Sequence, residues 1–346
     1  MTATDNRIPG SEKSLTFRRL LRTVWFRLFL VFERMGIHIL PKTYYSPIQD
    51  YRWLANNTNL WAGRCRLTGV DWDVDEQFAW LEKICKPYYR EVSGLAFYQE
   101  SSAHGWGPGY GPIESQVLHC FVRAVAPQQI IEIGSGQSTM CMLHAAEMNT
   151  RDGRVSSHII SIDPHPRKEL QQQEGITVLQ QVCQSVPSEL FAKLRAGDLL
   201  FVDSSHAVKV GSDVIRIYLE IIPALPSGVF IHIHDIFLPY LYGPSTLSPS
   251  LMNNSQETAL LAALLIGNKS LSVLASLSAL HHDKTQQLRI LLSDYLPQSS
   301  LEGLRQTDPP TGHFPSSVWM QTGKPVNRHA AEPQRLAMWP REHTHS

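Results

Sequence analysis

An excess of charge of either sign is missing from this chain. Lys+Arg and Asp+Glu both number 31 in 346 residues, so the formal net charge is zero. A protein that grips nucleic acid through a broad basic face needs surplus cations, and that class is set aside. Cysteine is sparse and scattered, with Cys65, Cys85, Cys120, Cys141 and Cys183 forming no Cys-x-x-Cys pair. Such an odd set reads as free thiols, buried at Cys120 and Cys141, in a reducing cytoplasmic compartment. Long apolar runs are missing too: the longest uncharged stretch of the hydrophobic N-terminal block is Leu28–Phe32. A membrane span needs ~20 such residues. Residues 1–12 are polar, so no secretory signal is expected there. What remains is globular, 43% hydrophobic and 18% charged, and long enough for one large domain with an appendage.

Residues 1–13 are polar and expected to be disordered. Residues 14–111 read as a helical and loop extension that could cap a substrate. Its first part, residues 14–36, is helical, with Arg18, Arg19, Arg22, Arg27 and Arg34 set among Trp25, Phe26, Phe29 and Phe32. The favoured reading packs this helix on the rest of the protein or on a second copy in a homo-oligomer. The other lays it on an anionic membrane surface as a peripheral contact. A proline-bracketed aromatic loop follows, Ile37 to Tyr51, holding Tyr44 and Tyr45. Short helices then lead to the glycine-rich loop around Trp106, a candidate hinge or lid. Residues 324–346 mix Pro, His, Arg and Glu without period and read as a disordered tail.

From Pro112 to Gly323 strands and helices alternate. Strands are expected at Ile130–Ile133, His158–Asp163, Ile176–Val182, Asp198–Asp203, Gly228–Asp235 and Leu271–Leu277, with a last one at Ser316–Gln321. Helices are expected at 113–125, 139–147, 187–194, 213–225, 256–266 and 284–295, with a mobile loop over 240–254. This alternation is the pattern of an α/β, doubly wound, Rossmann-like parallel sheet.

The stretch Glu132-Ile133-Gly134-Ser135-Gly136-Gln137-Ser138-Thr139 joins a buried strand to a helix through a tight glycine turn. Gly134 and Gly136 admit positive φ and close approach of a ligand, and Ser138 or Thr139 can cap the helix. A dinucleotide fingerprint would place a third glycine where Thr139 stands, and Glu132 would repel a pyrophosphate. A cationic or hydroxyl-bearing ligand suits the turn better.

Later strands also end in polar residues: Asp163, Asp203 and the pair His234-Asp235. In an open α/β sheet ligands bind outside these carboxyl ends. Asp163 is placed to accept from a ribose diol, and Gln184 stands where an adenine could be held. Asp203 would contact the cofactor's cationic end or a metal. His206 and His234 are candidate proton acceptors. Asp203, His234 and Asp235 could together hold a divalent cation, the less favoured reading.

The Glu132–Thr139 turn, Asp163 and Phe201-Val202-Asp203-Ser204-Ser205-His206 resemble the matching motifs of class I S-adenosylmethionine-dependent methyltransferases. Tyr44-Tyr45-Ser46-Pro47-Ile48 and His232-Ile233-His234-Asp235-Ile236-Phe237 resemble an uncharacterised bacterial group of these enzymes. The resemblance implies a seven-stranded sheet with its last strand antiparallel, spanning a catalytic domain at 112–323. It implies S-adenosylmethionine held by Glu132, Gly134, Ser135, Gly136, Ser138, Asp163, Gln184 and Asp203. Catalysis would fall to Asp203, His206 and His234. Tyr44, Tyr45 and Trp106 would cover a small-molecule, glycan or lipid-linked acceptor methylated on oxygen. The pair His234-Asp235 is similar to the Asp-Asn pair of metal-dependent catechol-type O-methyltransferases. The chain departs from its relatives at Gly243–Ser250, where they carry an aromatic, charged segment. Two rivals stand beside this reading: an NAD(P)-dependent oxidoreductase and an inactive cofactor-binding interaction module.

Overall fold

Runs of Ile, Leu, Val and Phe with no charge between them bury both faces of a strand, which suits the middle of a covered sheet. In the computed structural model these runs become β1 (Gln129–Ile133), β2 (His158–Ile162), β3 (Ile176–Leu179), β4 (Leu199–Val202) and β5 (Phe230–His234). Two more strands, β6 (Leu271–Ser276) and β7 (Ser317–Thr322), complete a sheet in the order β3-β2-β1-β4-β5-β7-β6. The first five are parallel, and β7 runs antiparallel to both β5 and β6. The protein is therefore mixed α/β with a seven-stranded sheet whose last strand is antiparallel, as expected.

The structure describes residues 11–46, 48–248 and 255–323. Of the segments expected to be disordered, 1–13 and 324–346, residues 1–10 and 324–346 lie outside the described residues, while 11–13 open a helix; Pro47 and residues 249–254 of the expected mobile loop also lie outside them. Two compact units divide the chain, 1–57 and 58–346. In the first, a helix spans Ser11–Arg34, and several of its apolar side chains are exposed, Leu20 and Phe26 at 61% each. Asp50 caps the helix Tyr51–Asn56 by accepting from the Trp53 N–H at 3.2 Å. Among the described residues no helix is long and apolar enough to cross a membrane.

The second unit holds the sheet and two buried clusters. Alternation along the strands puts Ile130, Ile159, Leu199, Phe201 and Trp319 on one face. Ile131, Ile133, Ile162, Leu200, Val202 and Met320 occupy the other. The helix Pro112–Val125 packs on the helix Gln137–Arg151, and its Arg123 is 3% exposed with Glu91, Asn149 and Asp152 around it. All five cysteines are free, and Cys85, Cys120, Cys141 and Cys183 are buried.

Three helices differ from expectation. The segment 213–225 opens as Asp213–Arg216, widens into a π-turn at Ile217–Ile221 and ends as Ile222–Ala224. Pro223 lacks an N–H and crowds the carbonyl four residues back, which breaks the regular ladder. The expected helix at 187–194 shortens to Ser188–Phe191. In place of a single helix at 284–295, one helix starts at Leu277, where the Ser276 hydroxyl accepts from Ala279 N–H at 3.3 Å, and another covers Thr285–Leu291. A small hairpin, Ser300–Leu301 with Leu304–Arg305, was not expected from the sequence. Its turn puts Glu302 and Gly303 at φ +48° and +71°, the left-handed pair of a tight hairpin, without the usual asparagine.

Trp319 is fully buried on β7, with its ring 4.3 Å from His232 and 4.4 Å from Phe121. Trp319→Ala should cost about 3–5 kcal/mol. Urea unfolding followed by circular dichroism measures this, and an unchanged midpoint would remove β7 from the core.

Candidate functional site

The site begins where β1 ends. Gly134 takes φ +96°, and a Cβ there would stand 2.5 Å from the Asp203 carbonyl oxygen. Asp203 N–H in turn donates to the Ile133 carbonyl at 2.9 Å, so the ends of β1 and β4 are drawn together. Glu132 is fully buried and accepts from the Ser138 and Thr139 hydroxyls, each at 2.7 Å. Burial pushes its carboxyl up to about 8, against the pull of those hydroxyls. Thr139 also accepts from the Gly136 N–H at 2.9 Å. A glycine here could do neither.

Beside this turn lies a cavity of about 460 Å³. Gly134, Ser135, Asp163, Gln184, Asp203 and Asp213 are among its lining residues; Glu132, Gly136 and Ser138 are not. Of the residues expected at a cofactor, Glu132 and Ser138 thus serve inside the turn. Asp163 is held ready: Ser135 donates its hydroxyl to Asp163 Oδ2 at 2.5 Å, and His165 N–H donates to Oδ1 at 2.7 Å. The Gln184 amide donates to the Gly211 carbonyl at 2.9 Å. Next to the glycines, Gln137 is 2% exposed, yet neither end of its amide has a partner among the described residues. Unsatisfied buried amides are rare. The residues present therefore suit a nucleoside-bearing cofactor.

Beyond Asp203 the acids and imidazoles converge. Asp203 Oδ1 lies 3.1 Å from His234 Nδ1 and 3.3 Å from His206 Nε2. His206 Nδ1 lies 2.7 Å from Glu257 Oε2, which also accepts from the Ser204 hydroxyl at 3.0 Å. Asp235 is 3.8 Å from each histidine. Burial would deprotonate both imidazoles, but the carboxylates outweigh it. Asp203 and Glu257 push His206 up to about 11, and Asp235 with Asp203 pushes His234 up to about 9. Burial would likewise raise Asp203, yet His234 and His206 hold its carboxyl well below the usual range. His206 and Asp235 both sit at left-handed φ, +55° and +53°.

An imidazole held protonated at neutral pH donates and does not accept. His206, where the sequence suggests a proton acceptor, stands among three carboxylates that favour its protonated form. Asp203, His206 and His234 also present ligand atoms within 4.8 Å of one another. As metal ligands they would need neutral imidazoles, with Glu257 orienting His206 from behind. In such a set His206 takes the place expected for Asp235. Without an ion each charge faces an opposite one, although three carboxylates against two imidazoliums leave one negative charge in excess.

A second cavity, about 300 Å³, adjoins the cluster and is lined by His234, Asp235, Glu114, Phe237, Phe314 and the 243–246 segment. The residues of the departing loop are therefore part of its wall. Glu114, from the first turn of the helix Pro112–Val125, is 5% exposed, accepts from Ser316 N–H at 2.8 Å, and is raised by burial. Trp106 carries the guanidinium of Arg167 over its ring at 4.7 Å, and its carbonyl would be 3.6 Å from a Cβ at Gly136. The Trp106 loop thus lies against the glycine turn. Tyr44 and Tyr45 belong to the N-terminal unit, where they are 93% and 89% exposed and stack edge to face at 5.3 Å. Glu114 and Glu257, each an acid in the first turn of its helix, were missed from the sequence.

Residues 131–236 match a family model described as a methyltransferase domain. That stretch holds the glycine turn, Asp163, Asp203, His206 and His234-Asp235. No curated protein matches the chain. Among solved structures it is similar to the SAH-bound methyltransferase PaMTH1 of Podospora anserina. The two are 15% identical, with 83% of this chain and 100% of that one covered at a TM-score of 0.38. It is also similar to the MycE methyltransferase of the mycinamycin biosynthetic pathway, in complex with Mg, SAH and mycinamycin VI. That pair is 13% identical, with 73% and 57% covered at a TM-score of 0.29.

Glu257→Gln tests the network. His206 has a raised folded value, so its contribution to stability is complete below its ordinary value near 6.5 and fades as pH rises through about 11. At pH 7 the substitution should cost about 1.5–3 kcal/mol and move the His206 titration downward. Urea unfolding and imidazole NMR read these two effects; an unmoved titration would show that Glu257 does not hold the proton.

Proposed function

We propose that this chain is an S-adenosylmethionine-dependent methyltransferase acting on an oxygen of a small-molecule, glycan or lipid-linked acceptor. One observation carries the reading. A strand-end carboxylate, Asp163, is held by Ser135 of the glycine turn in one cavity, and Asp203 joins that cavity through His234 to a second. Two adjoining chambers suit a donor and an acceptor.

When bound, the cofactor supplies an activated methyl group on sulfur. Asp163 accepts from its ribose hydroxyls, and the bare backbone of Gly134 admits it against the sheet edge. Asp203, which lines the same cavity, would hold its cationic end. His234, which lines the second cavity, would in its neutral form, the minor one at pH 7, take the proton of the acceptor hydroxyl. His206 keeps Asp203 ionised and in place. Most of the acceleration comes from aligning the acceptor oxygen with the methyl group.

Calorimetric titration with S-adenosylmethionine and with NAD(P) separates the methyltransferase from an oxidoreductase; tight binding of NAD(P) alone would overturn the proposal. Asp163→Ala should abolish S-adenosylmethionine binding, and unaltered affinity would remove Asp163 from the ribose. His234 is raised to about 9, so its neutral, proton-accepting fraction grows with pH below that value. Once an acceptor is found among metabolites gaining a methyl group on overexpression, the methylation rate should climb from pH 7 toward pH 9. A flat profile would exclude His234 as the base.

A further inference from the structure

Two polar groups on the wall of the 300 Å³ cavity have no partner among the described residues: Nε of Arg305 and the hydroxyl of Ser255. Both atoms are buried, and Arg305 and Ser255 are among the residues that line the cavity. Arg305 is carried there by the small hairpin, whose Arg305 N–H donates to the Pro244 carbonyl at 3.0 Å. This joins the arginine to the segment Gly243-Pro244-Ser245-Thr246, which has no acid to offer it.

The two acids on the same wall are engaged elsewhere. Glu114 accepts from the Ser316 N–H at 2.8 Å, and its other oxygen would lie 2.3 Å from a Cβ at Gly111. Asp235 accepts from the Ser316 hydroxyl at 2.9 Å and faces His206 and His234 at 3.8 Å each. A guanidinium with a desolvated N–H and no carboxylate partner is the complement of a planar or tetrahedral anion. Phe237 and Phe314 supply apolar wall beside it, their rings 6.4 Å apart.

We infer that the methyl acceptor is a small hydroxylated compound bearing an anionic group, carboxylate or phosphate, gripped by Arg305 with support from Ser255. The hydroxyl then faces His234 across the cavity, and the anion fixes which oxygen is presented. This rests on the methyltransferase reading for the role of the compound, though not for the binding of the anion.

The test uses the full chain saturated with S-adenosylhomocysteine, whose binding is measured first by calorimetry. Inorganic phosphate, 4-hydroxybenzoate and the uncharged 4-hydroxybenzamide are then titrated. At least one anion should bind while the amide does not. Arg305→Gln should weaken that anion by roughly tenfold or more, with Arg305→Lys recovering part of the loss. Binding of S-adenosylhomocysteine should be unchanged in both variants, which also reports that they fold. Phosphate binding alone assigns a phosphorylated acceptor, and hydroxybenzoate binding alone a carboxylated one. Absence of binding by either anion, or equal affinity in Arg305→Gln, overturns the inference. Anion binding without any binding of S-adenosylhomocysteine leaves the anion site standing and removes the methyltransferase reading instead.

Discussion

Glu132 closes the turn between β1 and the helix Gln137–Arg151 by accepting from Ser138 and Thr139, and the functional edge of the sheet depends on that closure. A carboxyl with no solvent contact would be costly on its own; two hydroxyls at 2.7 Å satisfy it. The same threonine takes the Gly136 N–H, so the backbone of the turn is fixed from within. Gly134 can then lie against the Asp203 carbonyl, where any side chain would collide. The turn, β4 and the acid at its end form one unit.

That unit hands its charge to the neighbouring strand. Asp203 faces two imidazolium groups, and Glu257 and Asp235 complete a cluster in which every charge has an opposite within 4 Å. Two of its members, His206 and Asp235, sit in the left-handed region without being glycines. Such residues cost on the order of 1–3 kcal/mol each, which the ion pairs around them offset. These backbone conformations set His206 against Asp203 and Asp235 against the two histidines.

Much of this was legible in the sequence. The strands announced themselves because a two-sided burial requires unbroken apolar runs, as in Ile130-Ile131 and Leu199-Leu200-Phe201-Val202. Asp163, Asp203 and His234 were found because strand ends are fixed points. What escaped was set by contacts remote in the chain. Glu257 meets His206 across a separation of 51 residues, and Ser316 meets Glu114 across 202, distances that no local pattern encodes. Ser138 and Glu132 were singled out in the sequence, but their bond to each other inside the turn was not, because spacing does not reveal which way a hydroxyl turns. Arg305 stood on a hairpin whose Glu302-Gly303 turn lacks the usual signature.

The placement of β7 has a consequence for synthesis on the ribosome. This strand, the last described one in the chain, inserts between β5 and β6, and Ser316 at its start bonds both Glu114 and Asp235. A nascent chain can assemble the glycine turn and β1–β5 early, but Ser316 cannot reach Glu114 and Asp235 until β7 has left the exit tunnel. The cavity at the glycine turn can thus form before the one lined by Glu114, Asp235 and Ser316, and a product that stops short of β7 presents the first without the second.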